Sequence, residues 1–286
     1  MSTVRTIFDA DTVSGVAEIE LTKKDNATRL AHLYQHNPLR VLFPTPDPHD
    51  AALAVLVTTS GGLVAGDHLS IDVRAGPGTV AHVATSAAEK VYRSTGATTG
   101  IEQIFSVGPG AWLEYLPQET ILFDGARLRR HTTVNVAPGA GFLGGGIIVF
   151  GRRARGEVFT GSLLHERLEL GRDGALAWGD ALHLDGDVAR LMADPACLAN
   201  AAACATLLLA PPQGDPRPFV ERARLVQRQF AAPGLHVGVT AVNGVAVGRW
   251  LAADPAVLRR AFVDLACDWR QAAVGLPARL PRLWHN

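Results

Sequence analysis

Residues 71–83 read IDVRAGPGTVAHV, and the same arrangement returns as IFSVGPGAWLEYL at 104–116 and as VNVAPGAGFLGGG at 134–146. Each places a Gly/Pro break between two apolar, strand-like runs, and the breaks recur roughly 30 residues apart. A unit of this size cannot bury its apolar face alone. The repeat therefore predicts stacked hairpins or β-helical coils that share one core.

Toward the N terminus, Ala17, Ile19 and Leu21 alternate with Glu18 and Glu20, the period of a half-buried strand. LRVLF, LAVLVTT, LSIDVR, IEQIF, TILF, TTVNV and GIIVF continue the strand signal to about Leu170, so this half is predicted to be nearly all β. After about Leu191 the texture changes. Asp194-Pro195 and Asp215-Pro216 each read as a helix N-cap followed by Pro at the first helical position. Residues 236–251 predict a hairpin around Asn243-Gly244, a dipeptide that supplies the positive φ angles of a type I′ turn. Asp254-Pro255 opens a further helix, with Leu258, Phe262, Leu265 and Trp269 at helical spacing and Gly275 at its end. The tail LPARLPRLWHN, punctuated by Pro277 and Pro281, is expected to be extended, with Trp284 packed on the chain's own body or, as the alternative, in a partner's groove. The expected fold class is mainly β with an α+β C-terminal part: stacked β-sheets in a β-helical, two-layer core plus a few helices. The division expected is a β-rich core over 1–190 and an α+β unit over 191–286 packed on it.

The composition, 48% hydrophobic and 19% charged over 286 residues, is that of a globular protein. Basic and acidic residues balance at 27 each, which removes the electrostatic footprint of a chain that grips nucleic acid or an anionic membrane. Cys197, Cys204 and Cys267 form no C-x-x-C, so neither a disulfide framework nor a zinc knuckle is indicated and a reducing cytosol is the natural setting. The opening MSTVRTIFDADTVSG has no apolar h-region, and the longest apolar run, 199–210, is Ala-rich and stopped by Pro211 and Pro212. A cytoplasmic chain, neither exported nor membrane-spanning, is expected.

Several spellings of known chemistry lack their context. Gly139-x-Gly141-x-x-Gly144 matches a dinucleotide-binding motif, but that motif needs a helix directly after it, and GIIVF is a strand. GGLVAGDH at 61–68 has P-loop spacing, yet Asp67-His68 stand where Lys-Ser/Thr is required, and a carboxylate repels phosphate. Ser60, in TTSGG, has no nucleophile elbow around it and reads as a turn serine. The ten histidines include no H-x-H and no neighbouring Cys, so no dedicated high-affinity metal site is visible, although passing contacts with an ion remain open. Only three lysines occur, at 23, 24 and 90, which sets apart the segment Ala87 to Ser94, AAEKVYRS. It reads either as a solvated charged face or as a polar cluster lining a groove or channel. In LPQETILFDG, Glu119 and Asp124 flank a short apolar strand; one buried, hydrogen-bonded acid there would be ordinary, whereas two suggest a site.

At these residues the chain closely resembles the urease accessory protein family UreD, also called UreH. The resemblance is carried by NPLRVLFP at 37–44, TSGGLVAGD at 59–67, TSAAEKVYRS at 85–94, LEYLPQETILFDGA at 113–126, FGRRARGE at 150–157, NGVAVGRWLA at 243–252 and PRLW at 281–284. It covers nearly the whole chain. It implies a mostly β architecture of stacked sheets and a non-enzymatic scaffold that binds apo-urease with UreF and UreG partners, the last being the GTPase. It further implies that no cofactor is tightly held and that nickel is in transit along a polar internal path. The matching positions for that role are Asp67, Ser86, Glu89, Tyr92, Glu119 and Asp124. One departure stands out: family members commonly carry an aromatic and an acidic residue shortly before the segment matching FGRRARGE, where this chain reads Gly144-Gly145-Gly146. The burden then shifts to neighbouring carboxylates, or the path lies elsewhere. The competing readings are a hydrolase built on the Gly-rich loops, which requires a base for Ser60, and a stand-alone metal-binding protein, which requires tight nickel binding by the isolated chain.

Overall fold

The structure, a computed structural model, describes residues 14–228 and 232–285. Its first half runs β1 (Ser14–Lys24), β2 (Ala27–His36), β3 (Leu39–Leu42), β4 (Ala52–Thr58), β5 (His68–Ala75), β6 (Val80–Thr85), β7 (Glu89–Val91), β8 (Thr99–Val107) and β9 (Trp112–Tyr115). It continues through β10 (Thr120–Leu122), β11 (Arg127–Val136), β12 (Gly141–Phe150), β13 (Leu163–Arg172) and β14 (Ala175–Leu184). The remainder is α1 (Val188–Ala193), β15 (Ala203–Ala210), α2 (Arg217–Arg228), β16 (Leu235–Val242), β17 (Val245–Ala252) and α3 (Pro255–Val274).

The three Gly/Pro breaks carry the chain from one sheet to the other. Strands β5, β8 and β11 lie parallel in a seven-stranded sheet of order β14-β13-β11-β8-β5-β1-β2. Their successors β6, β9 and β12 lie parallel in a second sheet, of order β16-β17-β15-β12-β9-β6-β4-β3, with β10 and β7 paired beside β12. The turns stack on one another through backbone hydrogen bonds, Gly78 N to Pro109 O at 3.0 Å and Gly141 N to Ala111 O at 2.9 Å. This is the β-helical reading of the repeat.

The register aligns inward positions into rows. Val73, Phe105, Val134 and Leu170 form one row, all buried between the sheets. The second sheet buries its other face, including Trp112, Leu143 and Leu207, under α3 and α2. The layers are thus sheet, sheet and helices, with one apolar core on each side of the second sheet. The C-terminal strands β15, β17 and β16 extend that same sheet.

Helix α3 begins with the Asp254 carboxylate accepting from Ala256 N at 2.8 Å and ends at Gly275 with φ +72°. The hairpin turns at Asn243 and Gly244, with φ of 45° and 82°. Two expectations need correction. Asp194-Pro195 does not start a helix: α1 ends before it, and Asp194 instead closes a turn by accepting from Ala196 N at 2.8 Å. Ala199 and Asn200 take positive φ of 48° and 59°, which no helix continues, and the chain passes directly into β15. The tail is not wholly extended, because Arg282–His285 forms a 3-10 turn that seats Trp284 at 4% exposure. Among the described residues no helix is long and apolar enough to cross a membrane.

Candidate functional site

Each coil returns from the second sheet to the first through a loop opposite the Gly/Pro turns. The returns cover residues 59–67, 86–98, 116–126 and 151–162. They coincide with the four segments TSGGLVAGD, AAEKVYRS, LPQETILFDGA and GRRARGE, so motifs spread over a hundred residues share one edge of the stack. Backbone hydrogen bonds bind them in order: Leu63 N donates to Lys90 O at 2.7 Å, Glu89 N to Glu119 O at 2.8 Å and Ser94 N to Gly125 O at 2.9 Å. Aromatic contacts add to this, with the Tyr92 and Phe123 rings edge-on at 4.8 Å and the Arg152 guanidinium 4.1 Å from the Phe123 centroid.

The six sequence-derived positions all lie on these returns; Glu89 and Glu119 meet through the backbone, and among the side chains Asp67 acts on Glu89. Asp67 is 5% exposed and accepts from Val64 N at 2.9 Å. It adds to the rise of the Glu89 carboxyl, which burial pushes up against the hydrogen bonds of Thr58 (2.5 Å) and the Lys90 amide. Glu119 faces the other way: it pairs with Arg259 of α3 at 2.5 Å, whose guanidinium lies 4.6 Å from the Trp284 ring centroid. Asp124 fastens the fourth return, accepting from Thr160 N at 2.7 Å and Gly161 N at 3.1 Å and pairing with Arg93 at 2.9 Å. Burial opposes its charge, yet those amides hold its carboxyl below the ordinary range. Tyr92 Oη donates to Gly61 O at 3.1 Å, and Ser86 is exposed at the mouth of the second return. Ser60 Oγ donates to Gly62 O at 2.8 Å, a turn contact, and the strand β5 rather than a helix follows the GGLVAGD loop.

Beside this edge the core turns polar. The inward row Leu69, Ile101, Arg130, Glu166 passes from apolar to charged along the register, and Arg130 Nε meets both Glu166 oxygens at 2.8 Å. The next row supplies Gln103 and Thr132, joined at 2.8 Å, and Gln103 donates to Tyr115 Oη at 2.6 Å. Gly144 and Gly146 face this row from β12 and leave a cavity of about 80 Å³, lined also by Thr120, Asp180, Cys204 and Thr206. That volume has room for a handful of waters at roughly 10–15 Å³ each. Thr120 Oγ1 accepts from Arg130 Nη1 at 2.8 Å, and Thr120 is the register partner of Glu89, so one strand separates the Asp67/Glu89 pair from the cavity. On the far side a cleft of about 480 Å³ shares Asp180, Cys204 and Thr206 with the cavity and reaches Arg249, which is paired with Asp180.

Burial pushes the Glu166 carboxyl up, and Arg130 pulls it part of the way back. The Cys204 thiol is pushed up to about 12 by burial and by Glu166, so it stays protonated and is a poor resting ligand. Among the described residues, no group of three or more His, Cys, Asp or Glu side chains is arranged to hold a metal ion.

Reading the sequence alone missed Arg130, Glu166, Gln103 and Asp180. Two of them carry a legible signal: Arg130 shares the inward parity of Leu128, Val134 and Val136, and Glu166 that of Leu164 and Leu170. A charged residue at core parity is rarely left unpaired.

The UreD urease accessory protein family model matches residues 13–285. The chain is 42% identical over 272 residues to the urease accessory protein UreD of Magnetococcus marinus, covering 95% of this chain and 94% of the relative. It is 38% identical over 280 residues to that of Rhodopseudomonas palustris strain BisA53, covering 98% and 93%. It is 42% identical over 260 residues to that of a Methylobacterium species, covering 91% and 89%.

Proposed function

The chain belongs to the UreD urease accessory protein family, and on that premise we propose that it is a scaffold of urease maturation, holding apo-urease together with UreF-type and UreG-type partners while nickel is inserted. It works by binding and not by turnover; GTP is hydrolysed on the UreG-type partner. The observation that carries this reading is the convergence of four family segments on one edge of the stack, directly beside a polar interior cavity. Nickel is the cargo. It enters past Asp67 and Glu89 and crosses the interior by way of Thr120, Glu166 and Asp180.

Weak, oxygen-rich contacts suit transit. A hard carboxylate and hydroxyl lining binds a divalent ion loosely, and a thiol held protonated does not trap it. The paired Arg130 keeps Glu166 from acting as a free carboxylate, which lowers residence time further. Gly146 leaves open the space that a bulkier family residue would occupy, so the carboxylates of β13 and β14 take over the lining in this chain.

The test is co-expression of apo-urease and the UreF-type and UreG-type partners with and without this chain. A co-purifying complex and chain-dependent urease activity are expected. Glu89→Gln and Asp67→Asn are expected to retain the complex and lower the nickel content of urease several-fold. Normal maturation without the chain would sink the scaffold, and full nickel loading in both variants would sink the path.

A further inference from the structure

The outer face of the first sheet carries a pair of histidines that the interior site does not use. His165 of β13 and His183 of β14 are direct partners in the antiparallel register. Their Nδ1 atoms stand 3.2 Å apart, and the rings meet at 70° with centroids 5.3 Å apart. His183 is exposed and His165 half-buried. Because side chains alternate along a strand, Glu166 and Leu182 lie on the opposite face of this ribbon, toward the cavity. The pair is therefore separate from the interior path.

A neutral imidazole more readily keeps its proton on Nε2, so two Nδ1 atoms turned into one gap present two lone pairs to it. Imidazole–metal bonds are about 2.0–2.1 Å long, and at that length nitrogens 3.2 Å apart subtend about 100° at a shared ion. That angle lies between the octahedral and tetrahedral values. The alternative use of the gap is a single N–H···N hydrogen bond, which needs one ring in its less favoured tautomer. The χ2 torsion of histidine is soft, so a small swing of each ring aims both lone pairs at one point. Both residues sit on regular strands, which preorganises the pair. Arg129, the register partner of His165 on β11, places a positive charge beside it and keeps the affinity modest.

We propose that His165 and His183 form a bidentate surface site for a late first-row divalent ion of the Ni(II), Cu(II), Zn(II) class, with water completing the coordination. With only two protein ligands, the ion exchanges readily. The site does not depend on the scaffold reading, since it is a property of the isolated chain.

The test is calorimetric titration of the purified full chain with Ni(II), paired with the electron paramagnetic resonance spectrum of its Cu(II) complex. A single binding event and a two-nitrogen Cu(II) signature are expected. His165→Ala and His183→Ala should each weaken binding at least about tenfold, or ~1.4 kcal/mol. His32→Ala, which removes an exposed imidazole elsewhere, should leave the isotherm unchanged, and all three variants should melt with the native protein. Isotherms of the His165 and His183 variants that match the native one, or a one-nitrogen Cu(II) spectrum, overturn the proposal.

Discussion

Glu114 is wholly buried, and three neighbours hold its charge. His82 Nδ1 lies at 2.7 Å, Trp112 Nε1 at 3.0 Å and Arg270 Nε at 2.9 Å, while Arg270 also reaches Asp50 at 2.6 Å and the carbonyls of Pro277 and Arg279. Burial alone would raise the carboxyl, but His82 and Arg270 outweigh it and bring it from 4.5 to about 2. A folded value below the unfolded one stabilises the protein above the unfolded value, and that contribution is lost as pH falls toward the folded value. It amounts to about 3 kcal/mol. Glu114→Gln is expected to flatten the loss of stability between pH 4.5 and about 2. It should also cost about 3–5 kcal/mol at neutral pH, since Arg270 loses a buried partner. Urea unfolding across pH measures both, and an unchanged acid limb would contradict the assignment. In the sequence Glu114 looks like any strand glutamate in WLEYL; only α3, docking on that face, makes it interior.

At the scale of elements, β12 shows how one residue type serves opposite ends. Gly145 points toward the helices, where a Cβ would fall 1.9 Å from the Thr206 carbonyl oxygen, a backbone atom of the paired β15. Gly146 points into the cavity, where a Cβ meets nothing within 4 Å. Gly145→Ala is therefore expected to push β15 off β12 and cost several kcal/mol, on the order of a broken core contact. Gly146→Ala should stay within about 0.5 kcal/mol of native, or gain slightly from reduced unfolded-state entropy. Thermal melts of the two variants compare them directly; equal losses would refute the difference in facing. The GGG run was legible as a departure from the family, and its strand was legible from GIIVF. Which glycine is tight and which is open was not, because that depends on the neighbour across the sheet. The Asp-Pro dipeptides carry the same lesson: they open a helix at 215 and 254 but close a turn at 194, where the chain turns through Ala199 and Asn200 at positive φ and is claimed by β15 of the second sheet.

Across the whole molecule, the C-terminal tail locks the helical layer to the stack. The Trp284 ring stacks on Phe262 at 6.0 Å, its carbonyl accepts from Arg259 Nη2 at 3.1 Å, and Gln118 Nε2 donates to Leu283 O at 3.1 Å. Trp284→Ala is expected to cost about 3–5 kcal/mol in urea unfolding. A loss below about 1 kcal/mol would mean the tail is an ornament of the fold. By itself the amino-acid sequence determined the strand-rich class, the coil repeat, the Asn-Gly hairpin, the helix at Asp254 and the family. The strands, the hairpin and the helix are written in turn chemistry and apolar periods within a dozen or so neighbours, where local sterics and amphipathicity decide the outcome; the repeat shows in the spacing of its Gly/Pro breaks, and the family in the resemblance of segments spread along the chain. Only the tertiary structure decided which polar groups face one another. Arg130 meets Glu166 across 36 residues and Arg270 meets Glu114 across 156. Such pairs are set by strand register and by helix docking, which move a side chain between solvent and core without changing a single local propensity.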